Sequence, residues 1–270
     1  MAEILDYDVY NDRMRRSMWD KAFFMDKIPG ANLIIDFGCA DGSLIRFLQE
    51  LFPAMHYIGY DIDPQMVERA NVQRTGDVRF FSRIDEVLAC MKDLGMAPEE
   101  TAVNFSSVFH ELFHYGFDRM AFGDALRQIA PQYLIVRDML YVSDDDGAPA
   151  SAQAVARIRE ELPEKMLSEF EAAQGPVSLR RNLVQLLLKY KYIENWDREC
   201  AENYFSYTWA DIAALLDPDD QYRTLFASRY VLPWCREDIE DRFGIDLGHE
   251  ITTHCAVILG RRLAEGMVRL

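Results

Sequence analysis

Two aspartates, each at the end of an apolar segment, and a small-residue turn between them have the clearest potential for ligand chemistry. Asp36 closes the first apolar run, and the turn after it carries Gly38, Ala40 and Gly42 at alternate positions. Small residues let the backbone approach a ligand closely, and the amides at the start of the next helix can face that ligand. Asp61 closes a second apolar segment, in a position to accept hydrogen bonds from ribose hydroxyls. The pattern predicts a site for a nucleoside-containing cofactor.

The spacing of the turn distinguishes between two kinds of cofactor site. A nicotinamide dehydrogenase normally carries Gly-x-Gly-x-x-Gly, whereas here one residue, not two, separates the second small residue from the third. The string Asp36-x-Gly38-x-Ala40-x-Gly42, followed by Tyr60-Asp61-Ile62-Asp63, instead resembles the first two motifs of class I S-adenosylmethionine-dependent methyltransferases. Ala40 replaces the usual middle glycine, which costs one methyl group of clearance.

The resemblance implies S-adenosyl-L-methionine as the cofactor, and a role for each matching residue. The turn would surround the methionine part, Asp36 would anchor its amino group, Asp61 would hold the ribose and Ile62 would pack on the adenine. The predicted cofactor contacts are Asp36, Gly38, Cys39, Ala40, Gly42, Asp61, Ile62, Ser82, Asp85 and Ser107. Asp85 has an equal second interpretation, as the cap of the helix that follows it. The resemblance gives almost no information on the methyl acceptor.

A second group of chemically capable residues lies at His110-Glu111-Leu112-Phe113-His114, which has the form of the HExxH zinc-protease motif. That chemistry needs a third protein ligand, and neither Glu nor His supplies an obvious one before Glu160. Gly116 also interrupts the predicted helix within a turn. The protease interpretation is therefore weak, although a metal held by His110, His114 and a carboxylate stays open.

The same segment directly follows a predicted strand, Thr101 to Val108, at the edge of the sheet where the transferred methyl group would lie. His110 is the first choice for a general base and Glu111 the second, because histidine titrates near neutral pH. A histidine that only hydrogen-bonds its own turn is the competing interpretation. The predicted acceptor contacts are His114, Tyr115, Arg137 and Tyr207. Arg137 has an alternative role, in an ion pair with Asp138.

The remaining chain predicts an α/β fold: a seven-stranded doubly wound sheet, mostly parallel with an antiparallel last strand, plus a helical insertion. The predicted segments are an N-terminal helical segment (1–31), the cofactor-binding half (32–142), the insertion (143–203) and a C-terminal half (204–270). A leading helix is expected over 7–27, where it could cover the cofactor. Aromatic residues of the insertion could line an acceptor pocket as a lid, or form a homodimer contact.

Composition limits the class of protein and its partners. The 270 residues are 50% hydrophobic, with 12% aromatic residues, which excludes a disordered chain, and no run is long enough to span a bilayer. The start of the sequence lacks the features of a secretory signal, and five scattered cysteines favour a reducing, cytoplasmic location.

The formal net charge of -16 opposes binding to long nucleic acids, since phosphate contacts need Lys and Arg. Two basic groups are candidates for an exception: Arg13, Arg15 and Arg16, and Arg180, Arg181, Lys189 and Lys191. We therefore expect an enzyme that methylates an oxygen or nitrogen atom of a small molecule. The alternatives are a tRNA or nucleotide methyltransferase and a non-catalytic S-adenosylmethionine-binding regulatory partner.

Overall fold

A single seven-stranded sheet organises the part of the chain that the computed structural model describes, which is residues 17–142, 147–248 and 251–262. Its strands are β1 (Leu33–Phe37), β2 (His56–Tyr60), β3 (Arg79–Phe81), β4 (Thr101–Ser106), β5 (Tyr133–Val142), β6 (Tyr222–Tyr230) and β7 (Thr252–Arg261). They lie in the order β3-β2-β1-β4-β5-β7-β6. Strands β1 to β5 pair in parallel, and β7 is antiparallel to both β5 and β6. The predicted fold class is confirmed, including the antiparallel last strand.

Helices cover both faces of this sheet. They are α1 (Met18–Lys21), α2 (Ser43–Leu51), α3 (Pro64–Val72), α4 (Ile84–Asp93), α5 (Phe109–Tyr115), α6 (Arg119–Ile129), α7 (Ala152–Glu161), α8 (Glu164–Gln174), α9 (Arg180–Lys189), α10 (Trp196–Ala201), α11 (Trp209–Leu216) and α12 (Pro233–Phe243), with short 3₁₀ turns at Pro98–Glu100 and Ile193–Asn195. Every residue of β1 and of β4 is buried, as expected for parallel strands covered on both sides. Among the described helices, none combines the length and the apolar character needed to cross a membrane.

The position of the ligand site follows from the strand order. β1 lies between β2 and β4, so the chain leaves β1 toward one side of the sheet and leaves β4 toward the other. Such a reversal opens a crevice beyond the carboxyl ends of the two strands, where ligands of open α/β sheets bind. The turn after Phe37 and the segment after Ser106 both lead into this crevice.

Helices α7 to α10 of the insertion pack together in one hydrophobic cluster. Ile158, Leu167, Phe170 and Leu187 belong to one buried cluster, and that cluster also contains Phe243 of α12. Helices occur where the sequence predicted them within the insertion, at α7, α8 and α9. The core of the insertion therefore extends into a helix that lies beyond it in the chain, between β6 and β7.

Two expectations need correction. Within the described part of the predicted leading helix, only the four residues of α1 are helical, because the chain then continues in turns closed by bonds such as Lys27 N–H to the Phe24 carbonyl at 2.8 Å. The second basic group is also not a basic surface, since Lys189 is fully buried and Lys191 lies 2.5 Å from Asp238. The first basic group, Arg13, Arg15 and Arg16, lies outside the described residues.

Candidate active site

The turn after β1 has a backbone that only small residues tolerate. Gly38 and Gly42 have φ angles of 82° and 75°, and Ala40 has a φ of 46°, in the left-handed region. A Cβ atom on Gly38 would lie 2.6 Å from Val108 Cγ2, and one on Gly42 would lie 2.5 Å from the Phe80 ring. The glycines are thus required both by conformation and by space, as their spacing predicted.

Asp61 connects this turn to the turn after β2. Its Oδ2 accepts a hydrogen bond from the Ala40 N–H at 2.8 Å, and its Oδ1 accepts one from the Asp63 N–H at 2.9 Å. Burial raises the pKa of Asp61, these two hydrogen bonds oppose that rise, and the charge of nearby Glu111 adds to it. Next to Asp61, the Ile62 side chain is 71% exposed. The arrangement leaves a fixed carboxylate and an open apolar surface side by side, which suits a ribose and a purine ring.

Asp36 lies below the turn in a buried polar group. It accepts a hydrogen bond from the Asn104 side-chain amide at 2.7 Å. Burial raises its pKa to about 6, against the opposing effects of Asn104 and of the Lys21 charge. Burial and the Arg137 charge lower the pKa of Lys21 to about 8, although Asp36 and Asp20 oppose this. The sequence analysis did not single out Lys21, because nothing in the local pattern shows that α1 brings it to Asp36.

The other predicted cofactor contacts have varied positions. Cys39 is buried, and its Sγ lies 2.8 Å from where a Cβ on Gly59 would stand, so its side chain faces the core. Ser82 is half-buried after β3. Asp85 is exposed and binds Arg83 at 2.6 Å, and it lies inside α4, whose N-cap is Arg83. The interpretation of Asp85 as the helix cap is therefore wrong.

Ser107 links the cofactor side of the crevice to the acceptor side. It has a φ of 61°, its N–H donates to the Arg137 carbonyl at 2.7 Å, and its Oγ accepts from Arg137 Nη1 at 2.9 Å. Arg137 is buried and also lies 2.7 Å from Asp20 of α1. Its partners are thus Ser107 and Asp20, and the predicted pair with Asp138 is wrong.

Asp138 instead organises the start of α5. Its fully buried carboxylate accepts hydrogen bonds from the N–H groups of Val108, Phe109 and Met139 at 2.8, 2.5 and 2.7 Å. It also lies 2.7 Å from His110 Nδ1. Burial raises the pKa of Asp138, but His110 and the hydrogen bonds outweigh that effect and keep it below its ordinary value.

His110 is held with its second nitrogen facing another carboxylate. Its Nε2 lies 3.7 Å from Glu202 Oε1. Burial lowers the pKa of His110, but the charges of Asp138, Glu202 and Glu111 reverse this and raise it to about 9. The imidazole is consequently a cation near neutral pH in this arrangement. It is suited to donate a hydrogen bond, and to act as a base only after losing that proton.

Glu111 and Glu202 are joined by one arginine. Arg198 donates to Glu111 Oε1, and its Nε lies 3.9 Å from Glu202 Oε2. Glu202 is 1% exposed. Both Arg198 and Glu202 come from the end of the insertion, and the sequence analysis missed them. The only available signal was their position within the aromatic segment that was proposed to line the pocket.

A cavity of about 80 Å³ lies between this cluster and the insertion. The lining residues that the sequence predicted are Ser107, His110, Glu111 and Arg137. Two aromatic residues also line it, Tyr192 of the insertion and Tyr204, which directly follows the insertion. We refer to this space as the acceptor cavity.

The other predicted acceptor contacts are not among the residues that line the acceptor cavity. His114 Nδ1 lies 3.4 Å from the Asn203 N–H, and the Tyr115 ring packs against the His114 ring at 4.6 Å. Tyr207 is buried, donates to the Met139 carbonyl and stacks on Phe113 at 5.0 Å. Tyr207 therefore supports the core beneath the site.

Comparison with known proteins agrees with this geometry. Residues 34–132 match the family described as "Methyltransferase domain", a segment that contains both cofactor turns. No curated protein matches the sequence. An S-adenosylmethionine-dependent methyltransferase from Archaeoglobus fulgidus has a similar structure, with 12% identity over 95% of this chain and 100% of that chain, and a TM-score of 0.50.

Two further solved structures resemble the chain over most of its length. One is an S-adenosylmethionine-dependent methyltransferase from Mesorhizobium loti, at 14% identity over 91% of this chain and 98% of that chain, with a TM-score of 0.48. The other is the plantazolicin methyltransferase BamL in complex with a triazolic desmethylPZN analog and SAH, at 10% identity over 94% and 88%, with a TM-score of 0.47.

The chain therefore carries a methyltransferase domain with the class I, Rossmann-like fold. Residues 34–132, which hold both cofactor motifs, match the methyltransferase family, in agreement with the S-adenosylmethionine cofactor that those motifs predicted. The residues present fit that cofactor, because Asp61 presents a fixed carboxylate beside an exposed Ile62.

Proposed function

We propose that this methyltransferase transfers the methyl group of S-adenosylmethionine to an oxygen or nitrogen atom of a small molecule bound in the acceptor cavity. The observation that carries the proposal is the position of that cavity directly after β4, where Ser107 joins it to the cofactor side of the crevice. The charge of Glu111, which lines the cavity, acts on Asp61 of the cofactor turn. This proximity supports direct transfer between the two sites.

The proposed mechanism depends mainly on alignment. The cofactor supplies an electrophilic methyl group, so the protein must hold the accepting atom in line with it, about 3 to 3.5 Å away, in a site without bulk water. Tyr192 of the insertion and Tyr204, which directly follows it, form part of the cavity wall, and they would help to exclude water. His110 would orient the acceptor as a hydrogen-bond donor, and Glu111, or His110 after losing its own proton, would take a proton that the acceptor loses.

The character of the cavity supports a small acceptor. Carboxylates and cations both line it, and the whole chain has a formal net charge of -16, which opposes a phosphate backbone. The predicted division, with residues 143–203 as a lid over the acceptor, belongs to the same proposal. It is supported by the contribution of that segment to the cavity wall.

A second candidate is a non-catalytic cofactor-binding partner that regulates another protein. The observation in its favour is the small volume of the acceptor cavity, about 80 Å³, part of whose wall comes from the insertion. A regulatory partner would bind S-adenosylmethionine without consuming it.

One experiment tests both candidates. The protein is incubated with S-adenosylmethionine carrying a labelled methyl group and with fractionated metabolite extracts, and label is followed into small molecules. We expect label in one or a few acceptors, together with cofactor binding by calorimetry. Cofactor binding without any transfer would contradict the enzymatic proposal and support the regulatory one.

A further inference from the structure

One buried imidazole and two carboxylates converge at the start of α5, and methyl transfer by alignment does not by itself require all three. One ligand atom from each of His110, Glu111 and Glu202 can be chosen so that the three lie within 4.8 Å of one another. The set differs from the HExxH pair, because His114 is not in it. Its third member comes from the insertion, far away in the sequence.

Glu202 is the residue that points to a ligand. Its side chain is 1% exposed, and among the described residues its Oε1 has no hydrogen-bond partner. A buried carboxylate oxygen without a hydrogen bond is costly, because it has lost its contacts with water and gained none in return. This oxygen faces His110 Nε2 at 3.7 Å, which is too long for a good hydrogen bond and leaves space between the two atoms.

The surroundings fix the cluster in the way that metal sites are fixed. Asp138 binds His110 Nδ1 at 2.7 Å, and Asp138 is itself held by backbone N–H groups. A carboxylate on the remote nitrogen of a histidine is the usual outer support of a metal ligand. Arg198 binds Glu111 and lies beside the outer oxygen of Glu202, so it orients both carboxylates.

The local charge also favours a divalent cation. Four carboxylates lie at or next to the cluster, on Glu111, Asp138, Glu199 and Glu202, while Arg198 and Lys189 provide two positive charges. These side chains differ by two negative charges, and His110 would release its proton on binding a metal. One nitrogen and two carboxylate ligands suit Mn²⁺ or Zn²⁺ better than Mg²⁺, which prefers oxygen ligands and retains water.

We propose that His110, Glu111 and Glu202 bind one divalent transition-metal cation, for which Mn²⁺ and Zn²⁺ are the probes, at the wall of the acceptor cavity. The role of the ion rests on the proposed function: coordination of an acceptor oxygen would lower the pKa of its hydroxyl group and favour attack on the methyl group. A proton shared between His110 and Glu202 is the competing occupant of the same space.

Calorimetric titration of Mn²⁺ and Zn²⁺ into the chelator-treated full chain tests the proposal. We expect one ion per chain, with weak or absent binding of Mg²⁺. Glu202→Gln keeps the shape of the side chain and removes one ligand, so it should weaken binding by about 10- to 100-fold. Glu169→Gln is the control, because Glu169 lies in α8 outside the cluster, where it accepts from Trp196, and metal affinity should be unchanged.

Glu111→Gln provides a second test that does not disturb the core, since its side chain is 31% exposed, and it should also weaken binding. Circular dichroism and the melting temperature check that each variant is folded. The proposal is overturned if the wild type binds neither ion, or if both variants bind it unchanged. Cofactor binding is measured separately, so its loss would contradict the proposed function and leave the metal result standing.

Discussion

Asp61 accepts a hydrogen bond from the backbone N–H of Ala40 at 2.8 Å, which joins the two turns that the cofactor motifs occupy. The bond crosses between neighbouring parallel strands, β1 and β2, and it stabilises an alanine whose φ of 46° is unfavourable by about 1 to 2 kcal/mol. Asp61 therefore stabilises the conformation of the turn, in addition to its predicted contact with the cofactor. Its replacement should affect both the stability of the turn and cofactor binding.

The first prediction concerns Asp61 and cofactor binding. S-adenosylmethionine at a hundredfold excess over its dissociation constant should stabilise the wild type by about 2.7 kcal/mol and raise its melting temperature. Asp61→Ala should abolish that rise, and it should also lower the melting temperature of the free protein because the Ala40 N–H loses its partner. Glu68→Ala, on the exposed side of α3, is the control. An undiminished rise in Asp61→Ala would remove Asp61 from the cofactor site.

The second prediction separates backbone strain from crowding at the first turn. Gly30 and Gly38 have nearly equal φ angles, 79° and 82°, but a Cβ on Gly30 would meet nothing within 4 Å, whereas one on Gly38 would meet Val108. Gly30→Ala should lower the free energy of unfolding by about 1 kcal/mol, from the strained backbone alone. Gly38→Ala should lose about 1 to 3 kcal/mol more. Urea denaturation measures both, and equal losses would show that Val108 moves aside.

The third prediction concerns the pH dependence of cofactor affinity. Burial raises the pKa of Asp36 to about 6, with Asn104, Lys21 and Asp61 as the groups that act on it. If Asp36 anchors the methionine ammonium, affinity should level off about one pH unit above that pKa and fall as the carboxyl gains a proton at lower pH. Asp36→Asn keeps the shape and should bind weakly at all pH values. A fall that persists in this variant would exclude Asp36 as the cause.

The fourth prediction follows from the same pKa and concerns the stability of the free protein. A rise in pH should lower this stability, whereas it should increase cofactor affinity. Because the folded state holds the Asp36 proton more tightly than the unfolded chain, whose pKa is near 3.8, Asp36 lowers the free energy of unfolding as the pH rises from about 4 to about 6. The loss is at most about 3 kcal/mol. The stability difference between Asp36→Asn and the wild type should therefore grow in favour of the variant across this range. Denaturant titrations of the free proteins at pH 4 to 7 measure it.

The fifth prediction concerns His110. Once the labelled-cofactor screen has identified an acceptor, His110→Asn should lower single-turnover transfer by at least about a hundredfold while cofactor affinity changes little. His114→Asn is the matched control from the same helix, because His114 is not among the residues that line the acceptor cavity. Equal effects of both substitutions would show that α5 is merely destabilised.

The cofactor half of the site could be predicted because its information is local. Gly38, Gly42 and Asp61 each follow a recognisable strand, and small residues with an acid at that spacing have few other physical uses. Because β1 and β2 are neighbours in the sheet, the turns that follow them lie side by side.

The acceptor half could be predicted only in part, because its contacts join distant segments. His110 was identified from its place after β4, but its partner Glu202 comes from α10 and the following residues, and no periodicity connects the two. Tyr207 was assigned to the pocket, yet its hydroxyl turns inward to the Met139 carbonyl. Which face an aromatic side chain takes depends on tertiary packing, which composition does not encode.

The shared core of the insertion and α12 determines how the enzyme can open. Phe243 of α12 packs in the same cluster as Phe170 of α8, and the ring of Tyr190, which follows α9, lies 5.0 Å from that of Phe243. If the insertion moves as the proposed lid, α12 must move with it, because separating them would expose a hydrophobic core to water. Since α12 connects β6 to β7, such a movement would also act on the edge of the sheet that β6 forms.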